Sequence, residues 1–225
     1  MTKAETFNLY DQLRLLGFSA DFILREDLAQ LISENRPTFD LFITDNFDDI
    51  SELQVLPVFC KSHQKDTYHL QKYQATLHYP TDPGRDKSQL FNLEEGIQIK
   101  LKEAFNLLQG RSVYKEVSPP NDEKFNAWVQ LNFRQKDATG NFKMVKFRSH
   151  HGYELANVLK HYPIQELADL DLKDVIIQAL KAGDRRLVTF LKPSGKNEKK
   201  IIEANPAFKT INIYRAIKAT QKDQE

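Results

Sequence analysis

AWVQLNF, residues 127–133, alternates Ala127, Val129, Leu131 and Phe133 with Trp128, Gln130 and Asn132. Successive side chains of a strand point to opposite faces, so this is the pattern of a half-buried strand whose apolar face meets a core. ATGN, residues 138–141, supplies a turn, and FKMVKFR from Phe142 is the return strand of a hairpin. The other face of the first strand, Trp128, Gln130, Asn132 and Arg134, is polar except for the chain's single tryptophan. A large ring on a face that should meet solvent marks a contact site.

Helical patterns lie on both sides of this hairpin. Toward the amino terminus, Leu9, Leu13 and Leu16 recur at helical spacing before Gly17, and a second helix from about Asp21 aligns Leu24, Leu28, Leu31 and Ile32 until Pro37 stops it. Strand patterns follow at 39–44, 54–60 and 68–79; the last alternates Leu70, Lys72, Gln74, Thr76 and His78 with Gln71, Tyr73, Ala75, Leu77 and Tyr79. LKEAFNLLQG, 101–110, is a helix with Leu101, Ala104, Phe105 and Leu108 on one face and Gly110 at its end. Beyond the hairpin, helices are expected at 153–162 and 172–182, the latter started by Asp171 and closed by Gly183, and then strands at 186–192, 199–204 and 210–214. The expected class is α+β, with antiparallel sheets and flanking helix pairs. Two stretches, 8–79 and 152–215, share the order helix, helix, three strands, which suggests two similar units. PTDPGRDKSQ, 80–89, concentrates Pro, Gly and charge and reads as a linker or long loop, dividing the chain into an amino-terminal unit, 1–85, and a carboxyl-terminal unit, 95–225.

Composition narrows the function classes. The chain has 225 residues, 40% hydrophobic and 28% charged, with a mean hydropathy of -0.56, which is ordinary for a globular protein. One cysteine, Cys60, excludes an internal disulfide and suits a reducing compartment; with no apolar leader and no membrane-length apolar run, the expected location is the cytoplasm and no membrane partner is expected. Net charge is +1, but residues 1–112 carry 12 Lys and Arg against 17 Asp and Glu, whereas residues 113–225 carry 20 against 14. The first 50 residues alone hold 4 basic against 10 acidic side chains, and whether they cover a basic surface elsewhere in the chain stays open at this point.

Motif chemistry is sparse. PSGKNEKK, 193–200, resembles a phosphate-binding loop only in Gly195 and Lys196, because Phe190 and Asn197 stand where that loop needs Gly and Ser or Thr. Cys60 and His63 form half of a zinc clamp without its second half, and the adjacent His150 and His151 point apart in an extended chain. No catalytic residue, metal ligand or cofactor is therefore assigned. What remains is charge: Arg134, Lys136, Lys143, Lys146 and Arg148 surround Phe142 and Phe147 on the hairpin, and Arg185, Arg186, Lys192, Lys196, Lys199 and Lys200 form a second basic group. Cations interleaved with rings on strands suit DNA or RNA, with Arg134, Lys143, Lys146 and Arg148 on phosphates and Trp128 stacking on bases. The competing reading covers Trp128 with a helix and makes the lysines guards of a sheet edge.

LKEAFNLLQGRSV, FNAWVQLNF, GNFK, GYELANVLKHYPIQELA and IEANPAFKTINIY, in that order over residues 97–214, resemble an uncharacterised family, a domain of unknown function carried by Bacteroides-group bacteria and often encoded on conjugative or other mobile elements beside DNA-processing genes. The resemblance implies a cytoplasmic accessory protein of mobile DNA with no assigned reaction. Two functions stay open: a nucleic-acid-binding accessory using the basic carboxyl half, and a protein-interaction or scaffold module, homodimeric in one form, with no nucleic-acid role.

Overall fold

The computed structural model describes residues 3–18, 25–62, 67–94, 96–119 and 122–216. Over these residues the fold is α+β: five α-helices with three sheets whose strand pairs are all antiparallel. Helices α1 (Lys3–Leu15) and α2 (Arg25–Ser33) precede strands β1 (Thr38–Asp40), β2 (Ile43–Asp45), β3 (Glu52–Lys61), β4 (Tyr68–His78) and β5 (Lys87–Asn92). In this first sheet the order is β1, β3, β4, β5, with β2 also paired to β3. The apolar stripe Leu9, Leu13, Leu16 of α1 is buried, as are Leu28 and Ile32 of α2; Leu24 lies outside the described residues.

Three features of the first sheet depart from the sequence reading. The stretch 39–44 is two short strands that keep one register on β3, Asp40 opposite Val58 and Ile43 opposite Val55, broken where Leu41 meets Pro57: Leu41 N–H donates to the Pro57 carbonyl (3.3 Å), but proline has no N–H to return the bond. The clean alternation expected along β4 is broken at Gln71: Phe59 pairs with Leu70 and Val58 with Lys72, so one extra residue bulges out. The bulge shifts the side-chain phase by one residue, which lets Tyr68 and Leu70 share the buried face with Tyr73, Ala75 and Leu77. The Pro80–Gln89 stretch connects β4 to β5 through a short turn and then enters β5, which is hydrogen-bonded to β4 from Lys87 to Asn92.

Helix α3 (Leu101–Leu108) lies between the first sheet and a second, made of β6 (Val113–Val117), β7 (Phe125–Lys136) and β8 (Phe142–Arg148) with β7 central. A helix covered on two sides buries more than one stripe, so Leu107 and Asn106 join the expected Leu101, Ala104, Phe105 and Leu108. Two hydrogen bonds seat its start: Leu101 N–H to the Leu16 carbonyl (2.8 Å), and the hydroxyl of fully buried Tyr73 to the Ile99 carbonyl (2.7 Å). Ion-paired Lys115 and Glu103 (2.8 Å) tie α3 to β6.

The remaining elements are α4 (Leu155–Leu159), α5 (Leu170–Lys181), β9 (Arg186–Phe190), β10 (Glu198–Asn205) and β11 (Thr210–Arg215), the last three forming a sheet with β10 central. Helix α4 is shorter than expected. Asp169, two residues before the expected cap, accepts from the N–H groups of Asp171 and Leu172 and starts α5. Both ends of the chain thus place two helices before an antiparallel meander, and the amino-terminal one carries the additional strands β2 and β5.

Strand β7 walls two cores. Ala127, Val129 and Leu131 belong to one, with α1, α2, the first sheet and α3; Trp128 belongs to the other, with Tyr153, Leu155, Leu159, Ile176, Leu180, Val188, Ile202 and Ile211. A second joint lies at Gly183, whose φ of +85° no other residue adopts cheaply and where an added Cβ would stand 2.9 Å from both Asn106 Cβ and Val113 Cγ1. Buried Asn106 donates across this joint to the Ala182 carbonyl (2.8 Å) and to Asp184 (3.0 Å). Gly183→Ala is expected to cost about 2–4 kcal/mol in urea unfolding, backbone strain and steric overlap together, while Gly195→Ala, left-handed but in open space, costs about 1–2 kcal/mol. Equal losses in the two variants would contradict tight packing at the joint.

Candidate functional site

The β7–β8 hairpin was the strongest site candidate in the sequence, and its five residues do not converge. Trp128 is 3% exposed, wedged between Tyr114 (ring centroids 5.3 Å) and Tyr153 (5.4 Å), with Phe147 opposite it on β8. This corrects its assignment as a stacking platform: a ring sealed into a core offers no face to a base. The physical reason is that the supposed solvent face of β7 is the lid of the second core.

The four cations are exposed, but they divide between faces. Register with β7 pairs Lys146 with Val129 and Arg148 with Ala127, on the side of the first core, whereas Lys143 pairs with Asn132 on the opposite side. Arg148 lies over the Phe125 ring at 3.7 Å, and Arg134 sits past the end of the regular pairing, where Asn132 accepts its backbone N–H. Among the described residues, Lys143 and Lys146 have no ion-pair or hydrogen-bond partner. They line a cleft of about 560 Å³ between the outer edges of β5 and β8, over a floor that includes Phe91, Ile97, Ile99 and Met144. At one end the two edges are held by reciprocal side-chain bonds. Leu90 N–H donates to Asn141 Oδ1 (2.8 Å) and Phe142 N–H donates to Gln89 Oε1 (2.9 Å).

The second basic group is largely neutralised. Lys192 and Lys200 pair with Glu198 (2.7 and 3.7 Å), Lys199 with Glu166 (3.6 Å) and Arg185 with Glu203 (2.8 Å). Glu203 is the hub of a polar cluster on the outer face of the third sheet. It accepts from Arg185 Nε, from Asn212 (2.7 Å) and from the Tyr214 hydroxyl (2.9 Å), and Arg185 also covers the Tyr214 ring. Burial pushes the Glu203 carboxyl up, but the bonds from Arg185, Asn212 and Tyr214 together outweigh it and hold the group below the ordinary carboxylate value. Burial, then the bond to Glu203, raises the Tyr214 phenol. Beside the cluster, Leu187, Ile201 and Tyr214 stand directly opposite one another across β9, β10 and β11, and Leu187 and Tyr214 are exposed.

Cys60 lies in a separate cleft with Gln71, His69 and Glu94; its thiol donates to Gln71 (3.2 Å), and burial raises its pKa. A raised thiol is a poor nucleophile at neutral pH. Its expected neighbour His63 lies outside the described residues. His150 and His151 sit in a turn at Ser149–His151, where His151 packs on Phe147. Among the described residues no three His, Cys, Asp or Glu side chains come together as a metal site, and no helix is long and apolar enough to cross a membrane.

No family model, curated protein or solved structure matches the chain. The Glu203 cluster and the Gln89–Asn141 clamp escaped the sequence reading, because both join residues from distant elements and neither has a local motif.

The cluster makes a pH prediction. With the folded pKa of Glu203 below its ordinary 4.5, its stabilisation is present above that value and is lost as pH falls through the folded pKa. Glu203→Gln should therefore be less stable than wild type by about 1–3 kcal/mol at neutral pH, and the gap should close in acid. A gap unchanged between neutral and acidic unfolding would contradict the assigned ion pair.

Proposed function

We propose that this protein is a non-enzymatic interaction module whose contact surface is the outer face of the third sheet, and that it works as an accessory of mobile DNA, the setting its resemblance over residues 97–214 implies. The observation that carries this reading is the row Leu187, Ile201, Tyr214. These three apolar side chains lie side by side across all three strands of a face on which Leu187 remains 56% exposed. Scattered exposed leucines are ordinary, but a row fixed in register is a contiguous surface of the kind protein partners cover. The Arg185–Glu203–Asn212–Tyr214 cluster supports it by holding Tyr214 rigidly in place, so that little side-chain freedom is lost on association. The partner assigned to this face is a second copy of the chain, and the cytoplasm is its proposed location.

Sedimentation equilibrium tests this. Wild type is expected to dimerise, with little sensitivity to moderate salt, and Leu187→Glu with Ile201→Glu is expected to be monomeric with an unchanged circular dichroism spectrum. A wild-type chain that stays monomeric at the highest attainable concentration would overturn the reading.

A second reading, nucleic-acid binding, is favoured by the exposure of Arg134, Lys143, Lys146 and Arg148. With Trp128 sealed, it rests on phosphate contacts alone. Four neutralised duplex phosphates would give a slope of log affinity against log salt of about -3.6, abolished when all four cations are replaced by Ala. A shallow slope, or binding that survives those replacements, would rule it out.

A further inference from the structure

The cleft between β5 and β8 is bounded by two strand edges, each hydrogen-bonded, among the described residues, to another strand on one side only: β5 to β4 and β8 to β7. An unpaired edge presents a row of backbone donors and acceptors that templates another strand. Here the two edges approach without pairing to each other. They are joined at one end by the Gln89 and Asn141 side chains, which reach across and satisfy Phe142 N–H and Leu90 N–H. Those two bonds also fix which way the backbone faces. Leu90 and Phe142 aim their N–H groups into the cleft, and by the alternation of antiparallel pairing so does Met144, two residues further along β8.

We propose that this cleft binds an extended acidic peptide of a partner protein, which adds as a strand along the β8 edge and places its carboxylates on Lys143 and Lys146. The two lysines lie on opposite faces of β8, so side chains that alternate on an added strand meet a cation on either side. Neither lysine is engaged among the described residues, where the one carboxylate lining the cleft is Asp137, held at the turn end by the N–H and hydroxyl of Thr139 and the N–H of Asn141. The apolar floor of Phe91, Ile97, Ile99 and Met144 gives the backbone of the added strand a drier setting, in which its hydrogen bonds strengthen. Strand addition draws affinity from main-chain bonds and specificity from the alternating side chains. A polynucleotide would find the same cations, but the rings of the hairpin are engaged: Trp128 is buried, Phe147 packs on the second core, Phe133 and half-buried Phe142 pack on each other and on the first core, and Arg148 covers Phe125. This surface is separate from the face of the third sheet, so the proposal stands or falls independently of dimerisation there.

Fluorescence anisotropy of the full chain tests it with four labelled probes: a short peptide of Val and Thr with Glu at every third position, so that successive carboxylates fall on opposite faces as Lys143 and Lys146 do, the same peptide with Lys for Glu, the Glu peptide methylated on every backbone amide, and oligothymidylate. The Glu peptide is expected to bind. The Lys peptide and the methylated peptide should bind at least about tenfold more weakly, the first through charge and the second through lost main-chain bonds. Lys143→Glu with Lys146→Glu, both solvent-exposed replacements, should weaken the Glu peptide by about tenfold or more. Equal binding of the Glu and Lys peptides overturns the proposal, and so does undiminished binding of the methylated one. Absence of any peptide binding also overturns it and leaves the lysines as edge guards. Binding of oligothymidylate that needs both lysines, with none of the Glu peptide, overturns it in favour of nucleic acid.

Discussion

Strand β7 is the constraint on which the rest depends, because its middle, Ala127–Val129, is buried on both faces. Ala127, Val129 and Leu131 close the core beneath α3 and the first sheet, and Trp128 closes the core beneath α5 and the third sheet. A half-buried strand leaves one row of side chains free to carry polar function, whereas a strand buried on both faces does not. The consequence for function is direct. The ring best suited to contact a ligand is spent on packing, and what the hairpin still offers lies at its edge, where β8 pairs with nothing further out among the described residues.

The joint at Gly183 extends the same logic. Helix α3 is covered on two sides, and the α5–β9 turn lies against it so closely that a single Cβ would collide with both Asn106 and Val113. A buried asparagine costs free energy unless its polar atoms are satisfied. Asn106 is satisfied by the very turn it contacts and by Arg111, whose guanidinium donates to its Oδ1 (2.7 Å). The carboxyl-terminal elements are thus attached to the rest by a specific, geometrically exacting contact, and this fixes the third sheet with its apolar row facing away.

Much of the architecture was legible in the sequence. Leu9, Leu13 and Leu16 announced α1, the Gly110 and Gly183 helix ends were correctly placed, and the hairpin around Thr139 and Gly140 was plain. The misreadings share a cause, which is that local patterns do not report what lies on the far side. AWVQLNF looks the same whether Trp128 meets water or a second core. Residues 68–79 alternate without a visible break, and only pairing with β3 shows that Gln71 is bulged. Pro80–Gln89 has the composition of a linker, yet its last residues are held in a sheet by β4. The candidate surfaces were partly legible: Lys143 and Lys146 stood out as candidate contact cations, but their exposure and the cleft beside them depend on the packing of β8 and on β5, more than 50 positions away across the Leu90–Asn141 bond.

The central claim, that β7 binds two cores into one cooperative structure, is most directly tested by native-state amide exchange. Ala75 and Leu77 of β4 report on the first core and Ile202 and Ala204 of β10 on the second. The account predicts that both groups exchange only through global unfolding, with the same opening free energy and the same denaturant dependence. If β10 opened at a free energy lower by about 2 kcal/mol or more while β4 stayed protected, the two cores would be separate cooperative units and the shared wall would not couple them.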